Sequence, residues 1–104
     1  MATVPPLVYR QGILDPLNNL TQTCPAKYRE QVSMIFNSPG GYDISINITR
    51  ASVGNTVTLY TLTLDPGDTV ETVPYQLYPG DIIEVVTTAS NVTYLMTVGN
   101  IPLQ

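Results

Sequence analysis

The sequence has no histidine, no tryptophan, one cysteine and one lysine, and these shortages exclude several functions. Histidine is the commonest general base and zinc ligand. Cys24 alone forms neither an intrachain disulfide nor a cysteine metal cluster. Nucleic-acid binders need clustered basic residues, and this chain has only Arg10, Lys27, Arg29 and Arg50. We therefore expect no enzyme, no cofactor, no metal and no nucleic-acid partner.

Charge of either sign is also scarce. Charged residues make up 12% of the 104 positions, and the formal net charge is −4. A free monomer usually stays soluble through mixed surface charge. Here the polar strand positions carry Thr, Ser, Asn and Gln instead. This composition favours a surface that other protein covers, and the alternative is a threonine-rich monomer that simply lacks lysine.

Long hydrophobic runs are missing as well. No stretch approaches the ~18 apolar residues that a membrane-spanning helix needs. The start, Met1-Ala2-Thr3-Val4-Pro5-Pro6, has no basic segment followed by an apolar run, so it does not read as a secretory signal. We expect a chain that neither enters a membrane nor carries a signal peptide.

Strand-forming residues dominate what is present. Thr, Val, Ile and Tyr fill 40 of 104 positions. Ile44, Ile46 and Ile48 alternate with polar residues, which is the period of a half-buried strand. Residues 56–64 are apolar on both faces, which predicts a central strand. Several short strands separated by frequent turns predict an all-β antiparallel β-sandwich or jelly-roll-like domain over residues 28–104.

Residues 1–27 lack a long period of either kind and contain four prolines, so we predict an extended N-terminal arm. One helical turn is expected after Asp15, with Pro16 at the first helical position. The arm is too apolar for a solvated tail. We predict that it binds a neighbouring subunit through Leu7, Tyr9, Ile13, Leu14 and Leu17.

Two Pro-Gly-Asp units follow each other at an offset of 13 residues. They are Pro66-Gly67-Asp68 and Pro79-Gly80-Asp81. Proline presets the first torsion of a turn and glycine accepts a positive φ at the second, which predicts two structural type II turns. Pro74 lies between them in a strand-like run, and we expect it at a bulge, an edge or a strand break.

Three chemical readings of these residues have simpler structural explanations. Asp65, Asp68 and Asp81 offer calcium ligands, but turn formation explains all three. Glu71 and Glu84 resemble a paired acid and base, but solvent-facing strand positions explain them better. The seven tyrosines offer a sugar-stacking platform, although Tyr42, Tyr60 and Tyr94 stand where core or rim packing is expected.

Three segments resemble small β-sandwich virion proteins of tailed bacteriophages: residues 62–71, 78–85 and 88–99. In that group a strand precedes a Gly-Asp or Gly-Glu turn, a second Gly-Asp turn follows, and the chain closes on a strand like Asn91-Val92-Thr93. Residues 28–64 match the preceding strands more loosely, and residues 1–27 have no counterpart. The resemblance implies a β-sandwich with no catalytic residues.

The same resemblance implies a capsid cement or decoration protein that binds other virion subunits and stabilises the particle. Its expected partners are major capsid or neck and tail subunits, and its expected location is the virion, assembled in the host cytoplasm. A homo-oligomer is expected, and trimers are common in such families. The alternatives are a neck, tail or fibre-associated module, or a module that binds carbohydrate on a host surface.

Overall fold

The computed structural model describes residues 7–103, and in this range the chain forms nine β-strands and no helix. Within that range, accordingly, there is no helix able to cross a membrane. The strands are β1 (Leu7–Leu14), β2 (Leu20–Thr23), β3 (Tyr28–Asn37), β4 (Tyr42–Thr49), β5 (Thr56–Leu64), β6 (Thr69–Glu71), β7 (Tyr75–Leu77), β8 (Ile82–Val86) and β9 (Val92–Pro102).

The strands form two antiparallel sheets. One is five-stranded, in the order β1-β9-β3, with β6 and β7 both paired to the far side of β3. The other is four-stranded, in the order β2-β8-β4-β5. This order of strands over two sheets is that of a jelly roll. The prediction of an all-β antiparallel sandwich is therefore confirmed.

The core lies between the sheets and is filled by alternate residues of the long strands. Ile44, Ile46 and Ile48 are buried on β4, while the polar residues between them face outward, as the period of two predicts. The fully buried large side chains include Leu14, Leu20, Val32, Met34, Phe36, Leu77, Ile83, Val85 and Met96.

Pro74 stands at both an edge and a strand break, as predicted. It separates β6 from β7, which pair with successive segments of β3. At the break, the Thr72 backbone N–H donates to the Met34 carbonyl at 2.9 Å, and the Met34 N–H donates to Thr72 Oγ1 at 3.0 Å. A threonine hydroxyl thus replaces the ladder partner that the interrupted strand does not supply.

The predicted boundary between an arm and a domain at residue 28 is wrong for the part of the arm that the structure describes. β1 pairs with β9 along its whole length, from Leu7 opposite Gly99 to Leu14 opposite Val92. β2 pairs with β8. Residues 7–23 therefore supply one edge strand to each sheet of their own sandwich. Residues 1–6 lie outside the described part of the chain.

The inward face of β1 explains why no strand period was visible there. Its inward positions are Val8, Arg10, Gly12 and Leu14, so a charged side chain and a glycine interrupt the apolar face. Arg10 reaches β2, where its guanidinium donates to the Thr21 carbonyl and to Gln22 Oε1, both at 2.8 Å. Gly12 lies opposite Tyr94, and a Cβ at Gly12 would stand 3.1 Å from the tyrosine ring. The glycine leaves room for that ring.

Two smaller predictions are also wrong. Residues 15–18 form a tight turn rather than a helical turn, in which the Asn18 N–H donates to the Asp15 carbonyl at 3.0 Å. Asp15 Oδ1 accepts from the Leu17 N–H at 2.8 Å, so the side chain caps a turn. β5 is an edge strand rather than a central one, and most of its residues are exposed. A register shift leaves Leu59 unpaired and puts Val57 on the same face as Tyr60, so β5 has one apolar face rather than two.

Candidate interaction surfaces

The five predicted arm anchors have different environments. Tyr9 and Ile13 point outward from β1 and are 63% and 53% exposed, and Leu17 is 98% exposed in the turn that follows. Leu14 is 2% exposed and belongs to the core of its own domain, so its assignment to a partner surface is wrong. Leu7 begins β1, and its side chain lies outside the described part of the structure.

Two of these anchors belong to an apolar patch on the outer face of the five-stranded sheet. Leu95 of β9 lies between Gln11 of β1 and Ile35 of β3 in one row of the sheet. Tyr9 and Ile13 flank Gln11 on the same face. Ile35 is 37% exposed, and Leu95 is half-buried. We call Tyr9, Ile13, Ile35 and Leu95 the Leu95 patch.

The residues paired with the Leu95 patch are polar and, apart from Glu71 opposite Ile35, uncharged. Thr97 and Ser33 continue the row through Tyr9, and Thr93 lies opposite Ile13. In the described part of the chain, the charged residues on the outer face of this sheet are Arg29 of β3 and Glu71 of β6. The patch thus combines apolar side chains with a polar rim that carries one charge in direct pairing with it, at Glu71.

Sequence reasoning missed Leu95 and Ile35, although a signal was present. Each interrupts a polar face: Leu95 stands between Thr93 and Thr97, and Ile35 follows Ser33 at the same alternation. The buried Met96 and Met34 fix the other face as the inner one. Only the pairing of β3 with β9 places the two residues side by side.

The outer face of the four-stranded sheet is different, because hydroxyl groups cover it. Some of these hydroxyls bond across the strands: Thr49 and Thr56 through their Oγ1 atoms at 2.7 Å, and Thr58 Oγ1 to Asn47 Oδ1 at 2.8 Å. Charge on this face comes from Asp43 and Glu84. The outward threonines are Thr21, Thr23, Thr49, Thr56, Thr58, Thr61 and Thr63.

The first Pro-Gly-Asp turn is exposed. Gly67 has a φ of 82°, in the region that favours glycine. Its N–H donates to the Ser38 carbonyl at 2.8 Å, which ties the turn to the β3–β4 loop. Asp68 Oδ2 accepts only a 3.3 Å bond from the Asp65 N–H. The hydroxyl of buried Tyr42 donates to the Asp68 carbonyl.

The second Pro-Gly-Asp turn is built into the fold. Gly80 has a φ of 85°, and its N–H donates to the Cys24 carbonyl at 2.9 Å. Asp81 is 3% exposed, and its carboxylate accepts from the N–H of Ala51 at 2.8 Å and from the N–H of Tyr78 at 3.0 Å. The carboxylate also forms an ion pair with Arg50, with 2.6 Å between Asp81 Oδ2 and Arg50 Nη1.

These contacts set the charge state of Asp81. Burial acts to raise the pKa of the carboxyl, but the bonds from the Tyr78 and Ala51 N–H groups and from Arg50 outweigh it, and the pKa is lowered. The carboxylate is therefore charged and fully engaged. Within the described residues no three His, Cys, Asp or Glu side chains gather as a metal site. Turn formation accounts for Asp81 without a calcium ion.

Asp43 lines an open cleft of about 480 Å³ between the β3–β4 and β8–β9 loops. Its Oδ1 accepts from the Thr88 N–H at 3.0 Å and from the hydroxyls of Thr88 and Thr87 at 2.8 and 3.2 Å. The Thr88 N–H is the main cause that lowers the pKa of Asp43. Oδ1 of the carboxylate thus holds the β8–β9 loop.

The remaining chemical candidates are dispersed or buried. Glu71 projects from the outer face of the five-stranded sheet and Glu84 from that of the other, so they do not form an acid–base pair. Tyr60 packs against Tyr75 with 6.1 Å between the ring centroids, and Tyr42 is 3% exposed. Tyr42 is in the core, Tyr94 packs against it and Tyr60 packs on Tyr75, so these three tyrosines have the packing roles expected of them. Cys24 is 1% exposed, and burial raises the pKa of its thiol, with nearby Glu30 adding to the effect.

No protein-family model matches the sequence, and no curated protein matches it either. The fold is similar to solved structures. A protein of the Bacillus endospore appendages, described as disulfide-linked pili, has a TM-score of 0.58 and 10% identity, over 97% of this chain and 88% of that one. The Drosophila NLP core, described for pentamer formation and histone binding, has a TM-score of 0.51 and 8% identity, over 89% of this chain and 97% of that one. At these identities the likeness shows the fold alone.

Proposed function

We propose that this protein is a non-enzymatic structural subunit of a virion that binds another protein subunit through the Leu95 patch. The observation that carries the proposal is the position of that patch. It lies on a regular sheet face, its apolar side chains are adjacent, and the rim paired with it carries a single charge, at Glu71. Exposed apolar patches of this kind mark protein interaction sites.

The energetics of the patch favour a protein partner. Covering one large apolar side chain contributes about 1.5–3 kcal/mol when it goes from exposed to buried. Tyr9 and Ile13 are more than half exposed, and Ile35 is 37% exposed. Because all of these side chains stand on paired strands, docking orders little additional backbone. Aromatic residues are also enriched where binding energy concentrates, which makes Tyr9 the expected anchor.

The composition supports the same proposal. With 12% charged residues, the surface has little of the charge that keeps a free domain apart from other proteins. The polar groups that replace charge are mostly hydroxyls and amides. Such groups are buried against a partner at lower cost than charged groups, because no ion has to be stripped of water.

The role within the virion comes from the resemblance of residues 62–71, 78–85 and 88–99 to phage β-sandwich proteins. On that basis we propose a capsid cement or decoration protein that binds major capsid subunits as a homo-oligomer. The alternative placement is a neck, tail or fibre-associated module, which would use the same patch. Two of the similar solved structures are described as pili and as a pentamer, so sandwiches of this shape serve in assemblies elsewhere.

The test compares two double variants for binding to particles that were assembled without this protein. Tyr9→Lys with Ile13→Lys places charge on exposed positions of edge strand β1. Thr21→Lys with Thr23→Lys places the same charge on exposed positions of edge strand β2, on the other sheet, and is the matched control. Purified protein is added to the particles and bound copies are measured by sedimentation.

We expect the wild type and the β2 variant to bind and the β1 variant to lose binding by about 30-fold or more, the effect of disrupting a binding hot spot. The proposal is overturned if the wild type does not sediment with the particles, or if the β1 and β2 variants bind equally. Circular dichroism of both variants checks that the sandwich remains folded.

A further inference from the structure

The free edge of β5 differs from the other three edges of the sandwich. Edge strands expose unpaired backbone N–H and C=O groups, and natural proteins protect them with charge, proline or short length. β1 carries Arg10, β2 has four residues, and Pro74 interrupts the edge formed by β6 and β7. β5 has nine residues, with no charge and no proline among them.

A bulge protects only the first half of this edge. Ile46 of β4 pairs with Tyr60 and Asn47 pairs with Thr58, which leaves Leu59 as the extra residue. From Tyr60 to Leu64 the register with β4 is regular. Five consecutive residues thus present an undistorted edge.

The sequence of this half-strand is complementary to itself. Thr61 and Thr63 point to the outer face, while Tyr60, Leu62 and Leu64 share the face of the buried Ile44 and Tyr42 with which Leu62 and Leu64 pair. Directly opposed residues of an antiparallel pair point to the same face. With Leu62 opposite Leu62 of a second copy, Thr61 faces Thr63 and Tyr60 faces Leu64. Every leucine or tyrosine then meets a leucine or tyrosine, and every threonine meets a threonine.

We propose that β5 pairs antiparallel with β5 of a second copy, about a two-fold axis at Leu62, and joins the two four-stranded sheets into one continuous sheet. A two-fold interface uses the same surface on both subunits, so the surface must match itself. This strand does so and places no like charges opposite each other. The backbone groups of both edges gain partners, and half-exposed Tyr60 is covered further.

This dimer does not depend on the proposed function. It uses the edge of the four-stranded sheet, whereas the Leu95 patch lies on the outer face of the other sheet. It needs no virion partner and is measured on the purified protein alone. Failure of particle binding and failure of dimerisation are therefore separate results.

The experiment is sedimentation velocity over a range of concentrations of the full-length protein and three double variants. Thr61→Lys with Thr63→Lys sets lysine against lysine at both symmetry-related sites. Thr61→Lys with Thr63→Glu sets lysine against glutamate at the same two sites. Thr21→Lys with Thr23→Lys puts two lysines at the opposite edge of the same sheet and is the control.

We expect the wild type, the control and the lysine–glutamate variant to form dimers, and the double-lysine variant to dissociate with a Kd raised about tenfold or more, since like charges directly opposite are unfavourable. A monomeric wild type overturns the proposal, as does a dimer that survives the β5 lysines. If both β5 variants are monomeric, the register centred on Leu62 is wrong. Open-ended polymers, the product of pairing β5 with β1 of another copy, also contradict it.

Discussion

The two Pro-Gly-Asp turns have the same local sequence and nearly the same backbone. Each is closed by a hydrogen bond from its aspartate N–H, to Asp65 at 3.1 Å in the first turn and to Tyr78 at 2.9 Å in the second. The glycines have φ values of 82° and 85°. Both glycine N–H groups also donate to a carbonyl of another loop.

The surroundings of the two turns differ. Around Gly67 there is open space, and the Asp68 side chain is exposed. Gly80 lies against Ala51, and Asp81 is buried among two N–H donors and Arg50. The motif therefore sets the turn conformation, while the contacts around it set how much the turn contributes to stability.

The largest expected difference concerns the glycines. Gly67→Val forces a β-branched residue into a positive φ and should cost about 1–3 kcal/mol. Gly80→Val carries the same strain, and in addition a Cβ there would lie 2.9 Å from the Ala51 Cβ. With overpacking of about 1–3 kcal/mol added, its cost should reach about 2–6 kcal/mol. Urea unfolding of both variants measures the two losses.

Gly40→Val is the matched control for these variants. No atom lies within 4 Å of a Cβ at Gly40, and its backbone has no positive φ. It should change the free energy of unfolding by less than either of the other two. Equal losses for Gly67→Val and Gly80→Val would show that the contact with Ala51 is relieved at no cost and that the two turns are equivalent.

The second prediction concerns the aspartates. Asp81→Asn removes the charge that pairs with Arg50. It also places an amide NH2 group among the N–H donors that the carboxylate accepted from, so we expect the free energy of unfolding to fall by about 1–3 kcal/mol. Asp68→Asn affects one long bond at an exposed site, and we expect less than about 0.5 kcal/mol. Thermal and urea unfolding at neutral pH compare the two variants. A larger loss for Asp68→Asn would reverse the assignment of the structural turn.

The smallest expected effect is a pH dependence confined to the second turn. The pKa of Asp81 is lowered in the folded protein, so its carboxylate contributes stability above the unfolded value of about 3.9. That contribution is lost as the pH falls through the lower folded value. The stability gap between the wild type and Asp81→Asn should therefore narrow between about pH 5 and pH 2. A gap that stays constant over this range contradicts the lowered pKa.

Much of the sandwich could be predicted from its alternating strands and its turn residues. The isoleucines of β4, the positive φ of Gly67 and Gly80, and the interruption at Pro74 follow from local rules of side-chain period and backbone freedom. These rules depend on residues close together in the chain, so their outcome can be predicted directly from the sequence.

The features that failed prediction depend on partners distant in sequence. β1 was hidden because its inward positions hold Arg10 and Gly12, whose roles require Gln22 and Tyr94. β5 has the sequence pattern of a strand with two apolar faces, but a bulge at Leu59 puts Val57 on the same face as Tyr60 and Leu62. Its place at an edge could not be predicted either, because strand order is a property of the whole sheet. The Leu95 patch likewise exists only once β1, β9 and β3 are paired.

The most direct test of the proposed assembly surface is hydroxyl-radical footprinting of the free protein and of complete virions, read out by mass spectrometry. Tyr9 in the Leu95 patch is 63% exposed, and Tyr78 in the second turn is 50% exposed, so the two tyrosines form an internal comparison. We predict that labelling of Tyr9 and Leu95 falls severalfold in the virion while labelling of Tyr78 is retained. Equal labelling of Tyr9 in the free protein and in the virion would contradict the assignment of the Leu95 patch as the assembly surface.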